Sequence, residues 1–409
     1  MEEVNLTLIE PCPAALAIFR SLLVQFEQFH QIHVNLTWLP KQGARRKLLE
    51  MASNQEAADV SQVESAWLSE LANLHAFQRF TPAHLAFLEG HDQFLRASWQ
   101  ACQVPNQRDG VNTWAVPWLA ETWAIYYRRD LLEQAGIEAK TAFDSLAHFD
   151  QTLARLAEQG IRLPLALPTG SAPANLCHLA MWVWASGGEL LDYQGTRPAL
   201  DQPPALCGMQ AYYRLGSYLP KDVRHLQTAQ ADEIFSTGLA AVLVSGFWMV
   251  DHPQLSPQVA PHIGVAPFPA SPYVGGSQLC IWRKTKKQQA ALQLIKFLTG
   301  RQAAEQLQPC AGLPVRHDSL ESRYYLEHDR YRVFADTLRG GRSFPTGGGA
   351  SLLYHQLHDH ATAMWEQVFS TSRPDLASLI QEHVSQINRY FEALEQVSKP
   401  YKDSHFIKL

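Results

Sequence analysis

The chain has 409 residues, of which 46% are apolar and 18% are charged, and its formal net charge is −5. This length and composition suit a globular protein of two domains with a large core. The mildly acidic balance argues against nucleic-acid binding, which needs clustered lysine and arginine, and no apolar run is long enough to span a membrane.

The N-terminal part of the chain alternates between strand and helix patterns. The stretches VNLTLI, HVNLTWL and ADVSQV alternate like strands, and each is followed by an amphipathic stretch with helical spacing. This β-α-β-α-β order predicts a parallel sheet with helices on its faces. Ligands of such sheets bind beyond the carboxyl ends of the strands. We therefore expect Glu10, Gln42, Glu64 and Ser65, which follow the three strands, to face a binding crevice.

The segment VPWLAETWAIYYRRDLL, from Val116 to Leu132, places one acid among apolar residues. A core strand favours Val and Ile, and a catalytic motif would bring a second acid or a His close by. The longer stretch NTWAVPWLAETWAIYYRRDLLEQAGI predicts a strand, a second strand and a helix that stops at Gly136. From these residues alone, Glu121 is either a ligand contact or a surface acid that pairs with Arg128 or Arg129.

The remaining segments continue the mixed pattern. Residues 145–161 form an amphipathic helix pattern with Asp144 or Ser145 as its N-cap. A strand, AAVLVSG, precedes the aromatic pair Phe247 and Trp248, and two more strands, HIGVAPFP and QLCIW, follow it. Helices are expected from Lys287 onward and again in the C-terminal tail. Because no Pro- or Gly-rich linker divides the chain, we expect two lobes joined by crossing strands.

Motifs of enzymes and metal sites are weak in this sequence. HExxH, GxSxG and GxxxxGK[ST] are absent. The run Gly347–Gly349 could cradle an anion, but a flexible turn is favoured. The stretch HQLHDH (His355, His358 and His360) has partial metal-ligand spacing, but a solvated His-rich face is favoured. We therefore predict no metal, no cofactor and no catalysis.

Six cysteines are present without CxxC pairing: Cys12, Cys102, Cys177, Cys207, Cys280 and Cys310. The pattern favours isolated thiols over disulfides, which remain the alternative in an oxidising compartment. The opening MEEVNLTLIE shows no signal peptide. It indicates either a start that replaces a removed leader or an intracellular protein.

Several segments, in this order, resemble the extracellular solute-binding proteins of carbohydrate ABC importers, the family that includes maltose-binding protein. They are FRSLLVQFEQFHQIHVNLTWL, ADVSQVESAWLSELANLHAF, AVPWLAETWAIYYRRDLLEQAGI, FSTGLAAVLVSGFWMV, GLPVRHD and GRSFPTGGGASLL. The likeness extends from about Val4 to Phe391. Two features depart from the family pattern: Cys12 follows a strand rather than an apolar leader, and Phe247 stands where the family often has Pro.

The resemblance implies a two-lobe α/β periplasmic-binding-protein fold of type II, in which each lobe is a mainly parallel sheet flanked by helices. It implies a first lobe of residues 1–115 plus 266–317, a second of 116–265 plus 318–409, and a ligand cleft between them. By this likeness the protein captures a sugar or short oligosaccharide by lobe closure. Its partners would be the permease subunits of an ABC importer. We expect a monomer in the periplasmic or extracellular space, associated with the membrane through that transporter.

In such a cleft, Glu121 would accept two sugar hydroxyls, and the indole of Trp118 or Trp248 would stack on the C–H face of the ring. We favour Trp184 over Trp182 as a second aromatic contact. The other predicted ligand-binding residues are Glu10, Gln42, Glu64, Ser65, Phe247, Gly276, Arg316 and Arg342.

Three alternatives stay open at this stage. The same fold could bind an anionic or non-sugar ligand, such as a glycerol phosphodiester or a polyol, if Arg316 and Arg342 both point into the cleft. The chain could also be a ligand-sensing domain of a regulatory protein. A glycoside hydrolase with dispersed acids is the remaining alternative.

Overall fold

The computed structural model describes residues 2–54, 58–106, 110–170, 173–192, 197–307, 311–347 and 350–398. Cys310, Gly348 and Gly349 lie outside the described residues. No helix in these ranges is both long enough and apolar enough to cross a membrane.

The strands share the apolar or alternating pattern read from the sequence. They are β1 (Glu2–Ile9), β2 (Ile32–Leu39), β3 (Val60–Glu64), β4 (Gln103–Asn106), β5 (Gly110–Thr113), β6 (Val116–Arg128), β7 (Leu165–Ala166), β8 (Val242–Gly246), β9 (Ile263–Ala266), β10 (Val274–Ile281) and β11 (Leu313–Pro314).

The helices carry their apolar residues at helical spacing. They are α1 (Pro13–His30), α2 (Ala44–Asn54), α3 (Leu68–Asn73), α4 (Pro82–Phe87), α5 (Arg96–Gln100), α6 (Arg129–Gln134), α7 (Leu146–Glu158), α8 (Pro173–Ala185), α9 (Pro203–Arg214), α10 (Thr228–Ser236), α11 (Gln288–Leu298), α12 (Arg301–Leu307), α13 (His317–Leu320), α14 (Arg323–Glu327), α15 (Asp329–Gly340), α16 (Ala350–Ser370) and α17 (Leu376–Ser398).

Local signals explain several boundaries. Pro13 opens α1, where its missing N–H costs no hydrogen bond. The helix ends at Gln31, which adopts the left-handed conformation. Ser145 caps α7 by accepting a hydrogen bond from the amide of His148 at 3.0 Å, as the sequence predicted.

One long sheet runs through the molecule in the order β2-β1-β3-β10-β6-β8-β7, with β9 and β11 also paired to β6. β1 pairs in parallel with β2 and β3, whereas β10 runs antiparallel to both β3 and β6. Helices pack on its two faces. The predicted two-lobe α/β fold is confirmed.

β6 is the strand that connects the two halves of this sheet. Its residues 116–122 pair with β10, and residues 123–128 pair with β8 and β9. We call the elements around β1–β3 and β10 the first lobe, and those around β7–β9 the second lobe. β5, β6 and α6 confirm the strand, second strand and helix that were predicted for this part of the chain. Glu121 does not lie on a turn, because paired strands on both sides keep β6 extended over thirteen residues. The predicted lobe boundaries stay predictions.

Aromatic and aliphatic side chains hold helices on the sheet. In α1, Phe19, Leu22 and Phe26 are buried against the first lobe. Each such side chain contributes about 1.5–3 kcal/mol when it leaves water. In the second lobe, Trp182, Tyr212 and other residues of α8 and α9 form a separate apolar cluster. Two well-packed bodies therefore flank the connecting strand.

Candidate functional site

The carboxyl ends of strands from both lobes meet at one level of the molecule. β1, β2 and β3 end there in the first lobe, at Ile9, Leu39 and Glu64. β8 ends there in the second lobe, where Gly246 pairs with Trp123 of β6. The loops that follow these strands therefore surround a cleft between the lobes, as expected for parallel α/β sheets.

A small, partly open cavity with room for about one water molecule lies at this junction. Residues of the first lobe, of the loop that enters β10 and of the segment that leads into α16 line it. They are Ser65, Ala66, Ser69, Ala101, Tyr273, Val274, Ser343, Phe344, Pro345, Thr346, Ser351 and Tyr354. The cavity combines hydroxyl groups with three aromatic rings, which suits a ligand that has both hydroxyls and an apolar face.

Two glutamates stand on either side of β10 next to this cavity. Glu64, at the end of β3, is paired with Ser277, and Glu121 of β6 is paired with Gly275. Directly paired residues share a face of a sheet, and so do residues two apart on one strand. Both carboxyl groups therefore lie on one face of the sheet, on either side of Gly275.

The two carboxyls affect each other's ionisation. Burial, together with the charge of Glu121, raises the pKa of Glu64 to about 8, and the charge of Lys41 opposes this rise. Burial also raises the pKa of Glu121, again opposed by Lys41. Lys41 lies in the exposed turn after β2. The pair is thus costly to ionise fully, and Glu64 holds a proton at neutral pH.

Tyr273 connects this pair to the cavity. Its ring covers Gly275, since a Cβ built on that glycine would meet the Tyr273 ring atoms at 2.7 Å. Burial raises the pKa values of the Cys177 thiol and the Tyr273 hydroxyl, the charges of Glu121 and Glu64 add to both rises, and the Tyr273 side chain opposes the rise at Cys177. Cys177, Tyr273 and the two glutamates therefore form one polar cluster in the lobe junction.

Trp248 lies at the second-lobe end of the same region. It is half-buried, and its Nε1 donates to Asp232 Oδ2 at 2.9 Å. Its ring meets Trp123 edge-on at 5.4 Å. The adjacent Phe247 is buried and lies 5.7 Å from Trp248 between ring centroids. The Asp232 bond fixes the indole, and the partly open ring remains a candidate stacking surface.

His178 lies beneath this aromatic group. Its ring is fully buried and meets Trp123 edge-on at 4.7 Å. Neither ring nitrogen of His178, nor Nε1 of Trp123, has a hydrogen-bond partner within the described part of the chain. Burial lowers the pKa of His178 to about 3, so the ring is neutral. His178 is therefore a buried, neutral ring whose nitrogens make no hydrogen bond within the described residues.

Trp184 belongs to the aromatic wall of the second lobe. The Arg342 guanidinium lies 4.8 Å from the Trp184 ring and donates to Glu189 Oε2 at 2.5 Å. Phe344 is 6.0 Å from Trp184 and stacks on Tyr354 at 4.6 Å. One face of the indole is therefore occupied by Arg342, and Phe344 lies between it and the cavity region.

Other predicted site residues lie apart from this cluster. Trp118 is buried in the first lobe, where it packs on Phe19 and donates from Nε1 to the carbonyl of Leu298 at 3.1 Å. It is three residues from Glu121, so alternation along β6 directs it to the opposite face. The predicted stacking role of Trp118 does not fit this placement.

Arg316 also lies apart from this cluster and is paired with other residues of the first lobe. It is nearly buried and donates to Asp318 Oδ2 at 2.7 Å and to Gln93 Oε1 at 2.5 Å. Its charge is therefore neutralised within the first lobe. Because Arg342 is paired with Glu189, neither arginine offers the free charge that the anionic-ligand alternative requires.

Glu10 and Gln42 are exposed at the strand ends where the sequence placed them. Gln42 follows Lys41, whose charge acts on both glutamates. Ser65 lines the cavity and donates to the carbonyl of Gly276 at 2.9 Å. Gly276 has a φ of +118°, a conformation that side chains rarely adopt. The structure thus brings Glu64, Ser65, Glu121 and Gly276 together.

Two polar contacts cross the cleft. Thr346 donates its hydroxyl hydrogen to the carbonyl of Gln103 in the first lobe. Arg45 of α2 lies 3.4 Å from His355 Nε2 of α16, and Glu70 holds the same guanidinium in a bidentate pair. These contacts show that the described conformation has its lobes together.

Sequence reasoning missed Lys41, Cys177, Tyr273, Phe344 and Tyr354. Lys41 could have been found, because it precedes Gln42 in a loop that was already expected at the crevice. The other four come from distant segments and reach the junction only through packing. In the part of the chain that the structure describes, no group of three or more His, Cys, Asp or Glu residues could hold a metal ion. The five described cysteines are free thiols.

Two α/β lobes that share one crossing strand, with a polar and aromatic cleft at their strand ends, define the class of solute-binding proteins. The sequence profile of the family described as bacterial extracellular solute-binding protein matches residues 13–305. The chain belongs to this family, which confirms the resemblance seen in its sequence.

Individual proteins show the same likeness. The chain is 25% identical over 289 residues to a probable ABC transporter-binding protein of Deinococcus radiodurans, an alignment that covers 66% of this chain and 65% of that protein. It is 22% identical over 292 residues to the diacetylchitobiose binding protein DasA of Streptomyces coelicolor, covering 68% and 65% of the two chains. Among solved structures, the sugar-binding protein MalE from Xanthomonas citri superposes with a TM-score of 0.82 at 20% identity, covering 97% of this chain and 99% of that one.

Proposed function

We propose that this protein binds a sugar or short oligosaccharide between its lobes and delivers it, unchanged, to an ABC importer. The observation that carries the proposal is the junction itself, where hydroxyls and aromatic rings line a cavity and the paired carboxyls of Glu64 and Glu121 lie next to two of its lining residues, Ser65 and Tyr273. Carboxylates accept hydrogen bonds from sugar hydroxyls, and aromatic rings pack on the C–H faces of the sugar. The names of similar proteins, which include a sugar-binding MalE and a diacetylchitobiose binding protein, support this ligand class.

The residues that we assign to ligand binding come from both lobes. Glu64, Ser65 and Glu121 supply polar contacts next to β10, and Gly276 lets the backbone approach closely. Trp248 supplies a stacking surface from the second lobe, with Phe247 behind it. Trp184, Arg342, Glu10 and Gln42 border the site. We infer that the lobe boundary lies within β6, between its β10-paired and β8-paired halves.

Catalysis is not part of the proposal. A glycosidase needs two carboxyls whose environments separate their pKa values, so that one is an acid while the other is ionised. Here burial raises the pKa of both Glu64 and Glu121. The family and fold of the chain, which are those of binding proteins, carry this part of the proposal rather than the ionisation of the pair.

The mechanism follows from the crossing strand. A ligand that contacts both lobes stabilises the closed form relative to the open form. We propose that permease subunits recognise this closed form of a monomer, in the periplasmic or extracellular space at the membrane. The alternative of a sensor domain with the same fold predicts the same closure with a different partner.

Calorimetry against a panel of sugars, with small-angle scattering for compaction, tests the proposal. We expect heat and a smaller radius of gyration for at least one sugar or oligosaccharide. The absence of both responses for every sugar, or turnover of aryl glycosides, would refute it.

A further inference from the structure

The charges around the lobe junction are unbalanced. Three arginines that the sequence or the structure places near the cleft are each paired with a carboxylate. The pairs are Arg45 with Glu70, Arg316 with Asp318, and Arg342 with Glu189. Among the described residues, Lys41 is the cation whose charge acts on both Glu64 and Glu121. Two carboxyls therefore share one exposed lysine.

The shape of the pair adds to this imbalance. Glu64 and Glu121 lie on one face of the sheet on either side of Gly275, and Tyr273 covers that glycine. A group inserted beside Tyr273 would have a carboxyl on each side. Isolated charges that are buried without partners are costly, so a bound ligand that carries one positive charge offsets this cost better than a neutral one does.

The surrounding rings suit the same kind of ligand. Tyr273, Phe344 and Tyr354 line the cavity, and Phe344 lies 4.6 Å from each of the other two rings. Aromatic faces attract cations, and this attraction grows when water is excluded.

A second observation points to a polar ligand group at this junction. The buried ring nitrogens of His178 and Nε1 of Trp123 have no hydrogen-bond partner within the described residues. His178 follows Cys177, which belongs to the carboxyl cluster, and Trp123 lies two residues beyond Glu121 on the same face of β6. Buried polar atoms are usually satisfied, so partners for these atoms are expected when the site is filled. A neutral imidazole nitrogen can accept a hydrogen bond from an ammonium group.

We propose that the ligand of this cleft carries a protonated amine, as an amino sugar or an aminocyclitol does, and that the ammonium lies between the Glu64 and Glu121 carboxylates. The proposal rests on the proposed function and narrows it to a cationic class of hydroxylated ligand. The ammonium favours the ionised form of Glu64, which releases to solvent the proton that it holds in the empty site. Both carboxylates then accept charge-assisted hydrogen bonds from one ligand nitrogen.

The test compares probes that differ in one group. The glucosamine disaccharide is titrated into the full chain at about pH 6, beside N,N′-diacetylchitobiose and cellobiose. These carry an N-acetyl group and a hydroxyl at the positions of the amines. Hydrogen bonds to charged groups predict roughly 10- to 100-fold tighter binding of the amine. The higher affinity of the glucosamine disaccharide, relative to the neutral disaccharides, should shrink when the pH is raised until the amine loses its proton.

Matched variants separate charge from shape. Glu64→Gln and Glu121→Gln keep the volume and a hydrogen-bonding amide, and each should remove most of the amine preference. The preference is measured in each variant as the ratio of the affinity for the amine to the affinity for the neutral disaccharides, so that a general loss of sugar contacts cancels. Glu50→Gln removes an exposed carboxylate of α2 outside the site and should change neither affinity. Thermal unfolding of each variant checks that the fold is retained. If a variant does not fold, the comparison of the three disaccharides on the wild-type protein still tests the proposal.

The outcomes separate this proposal from the one on which it rests. Tighter binding of the amine, lost in the two glutamine variants, supports the proposal. Equal or tighter binding of cellobiose or N,N′-diacetylchitobiose overturns it and leaves sugar binding intact. A higher affinity for an anionic sugar than for the amine and the neutral disaccharides also overturns the proposal. If a full panel of sugars, amine-bearing or not, gives neither heat nor compaction, the proposed function itself fails.

Discussion

Glu64 and Glu121 lie on opposite sides of β10, and the charge of Glu121 adds to burial in raising the pKa of Glu64 to about 8. The other ionisable members of the cluster, Tyr273 and Cys177, have their pKa values raised further above neutrality by burial. Glu64 therefore changes charge between mildly acidic and mildly alkaline pH, where Tyr273 and Cys177 stay neutral.

This relationship predicts how stability depends on pH. The folded protein holds a proton on Glu64 up to about pH 8, whereas the unfolded chain releases it near the ordinary value of 4.5. The folded state therefore binds more protons across this window, and the free energy of unfolding falls as pH rises from about 4.5 to about 8. The stability from the protonated carboxyl is fully present below the window and lost above it.

The variant Glu64→Gln should remove most of this slope. At about pH 8 we expect it to be more stable than the wild type by roughly 1–3 kcal/mol, and near pH 4.5 the difference should vanish. Urea unfolding at several pH values measures both quantities. An equal effect of Glu64→Gln at all pH values would contradict the explanation, and Glu50→Gln is the control that should leave the pH profile unchanged.

Gly276 provides a test of the crossing-strand geometry. Its φ is +118°, and a Cβ at this position would meet the carbonyl oxygen of Leu119 at 2.1 Å. We expect Gly276→Ala to lower the free energy of unfolding by about 3 kcal/mol or more, because both the backbone conformation and the space are unsuitable. Gly340→Ala, where a Cβ would meet nothing within 4 Å, should change it by less than about 1 kcal/mol. Similar losses in the two variants, measured by urea unfolding, would show that this close approach is not required.

Substitutions of Trp248 and Trp118 are expected to have different effects, the first on ligand binding and the second on stability. Trp248→Ala removes the half-open indole beside the cleft and should weaken binding of the preferred sugar by roughly tenfold or more. Trp118→Phe removes the hydrogen bond to Leu298 in the core of the first lobe. It should cost about 1–3 kcal/mol of stability with little effect on affinity. Calorimetry and urea unfolding of both variants test this division, which fails if Trp118→Phe weakens binding as much as Trp248→Ala.

The sequence predicted the site residues that come directly after the ends of strands. Glu64 and Ser65 come directly after a recognisable strand, so their position at the crevice followed from the parallel-sheet rule. Trp118 shows where this reasoning failed. A turn at Glu121 would have allowed both side chains to face the cleft, but a continuous strand places residues three apart on opposite faces.

Other parts of the site could not be found in this way. Tyr273 and Phe344 are 71 residues apart by their numbers in the chain, yet their rings lie 4.6 Å apart. No local pattern encodes this contact, because it depends on how α16 and the segment before it pack against the second lobe. The pairing of Arg316 with Asp318 is a similar case, since the sequence showed the two charges close together but not that burial commits them to each other.

The contacts across the cleft predict how the lobes open. Thr346 donates to the carbonyl of Gln103, and this bond exists only while the lobes are together. Thr346→Val keeps the shape of the side chain but removes the donor. A single neutral hydrogen bond contributes about 0.5–1.5 kcal/mol, so the ratio of open to closed molecules should rise roughly 2- to 10-fold without ligand. Small-angle scattering should then show a larger radius of gyration, and ligand affinity should fall by a similar factor. Thr362→Val removes a hydroxyl that bonds within α16, to the carbonyl of His358, and serves as the matched control. If Thr362→Val opens the cleft as much as Thr346→Val does, the contact with Gln103 does not hold the lobes together.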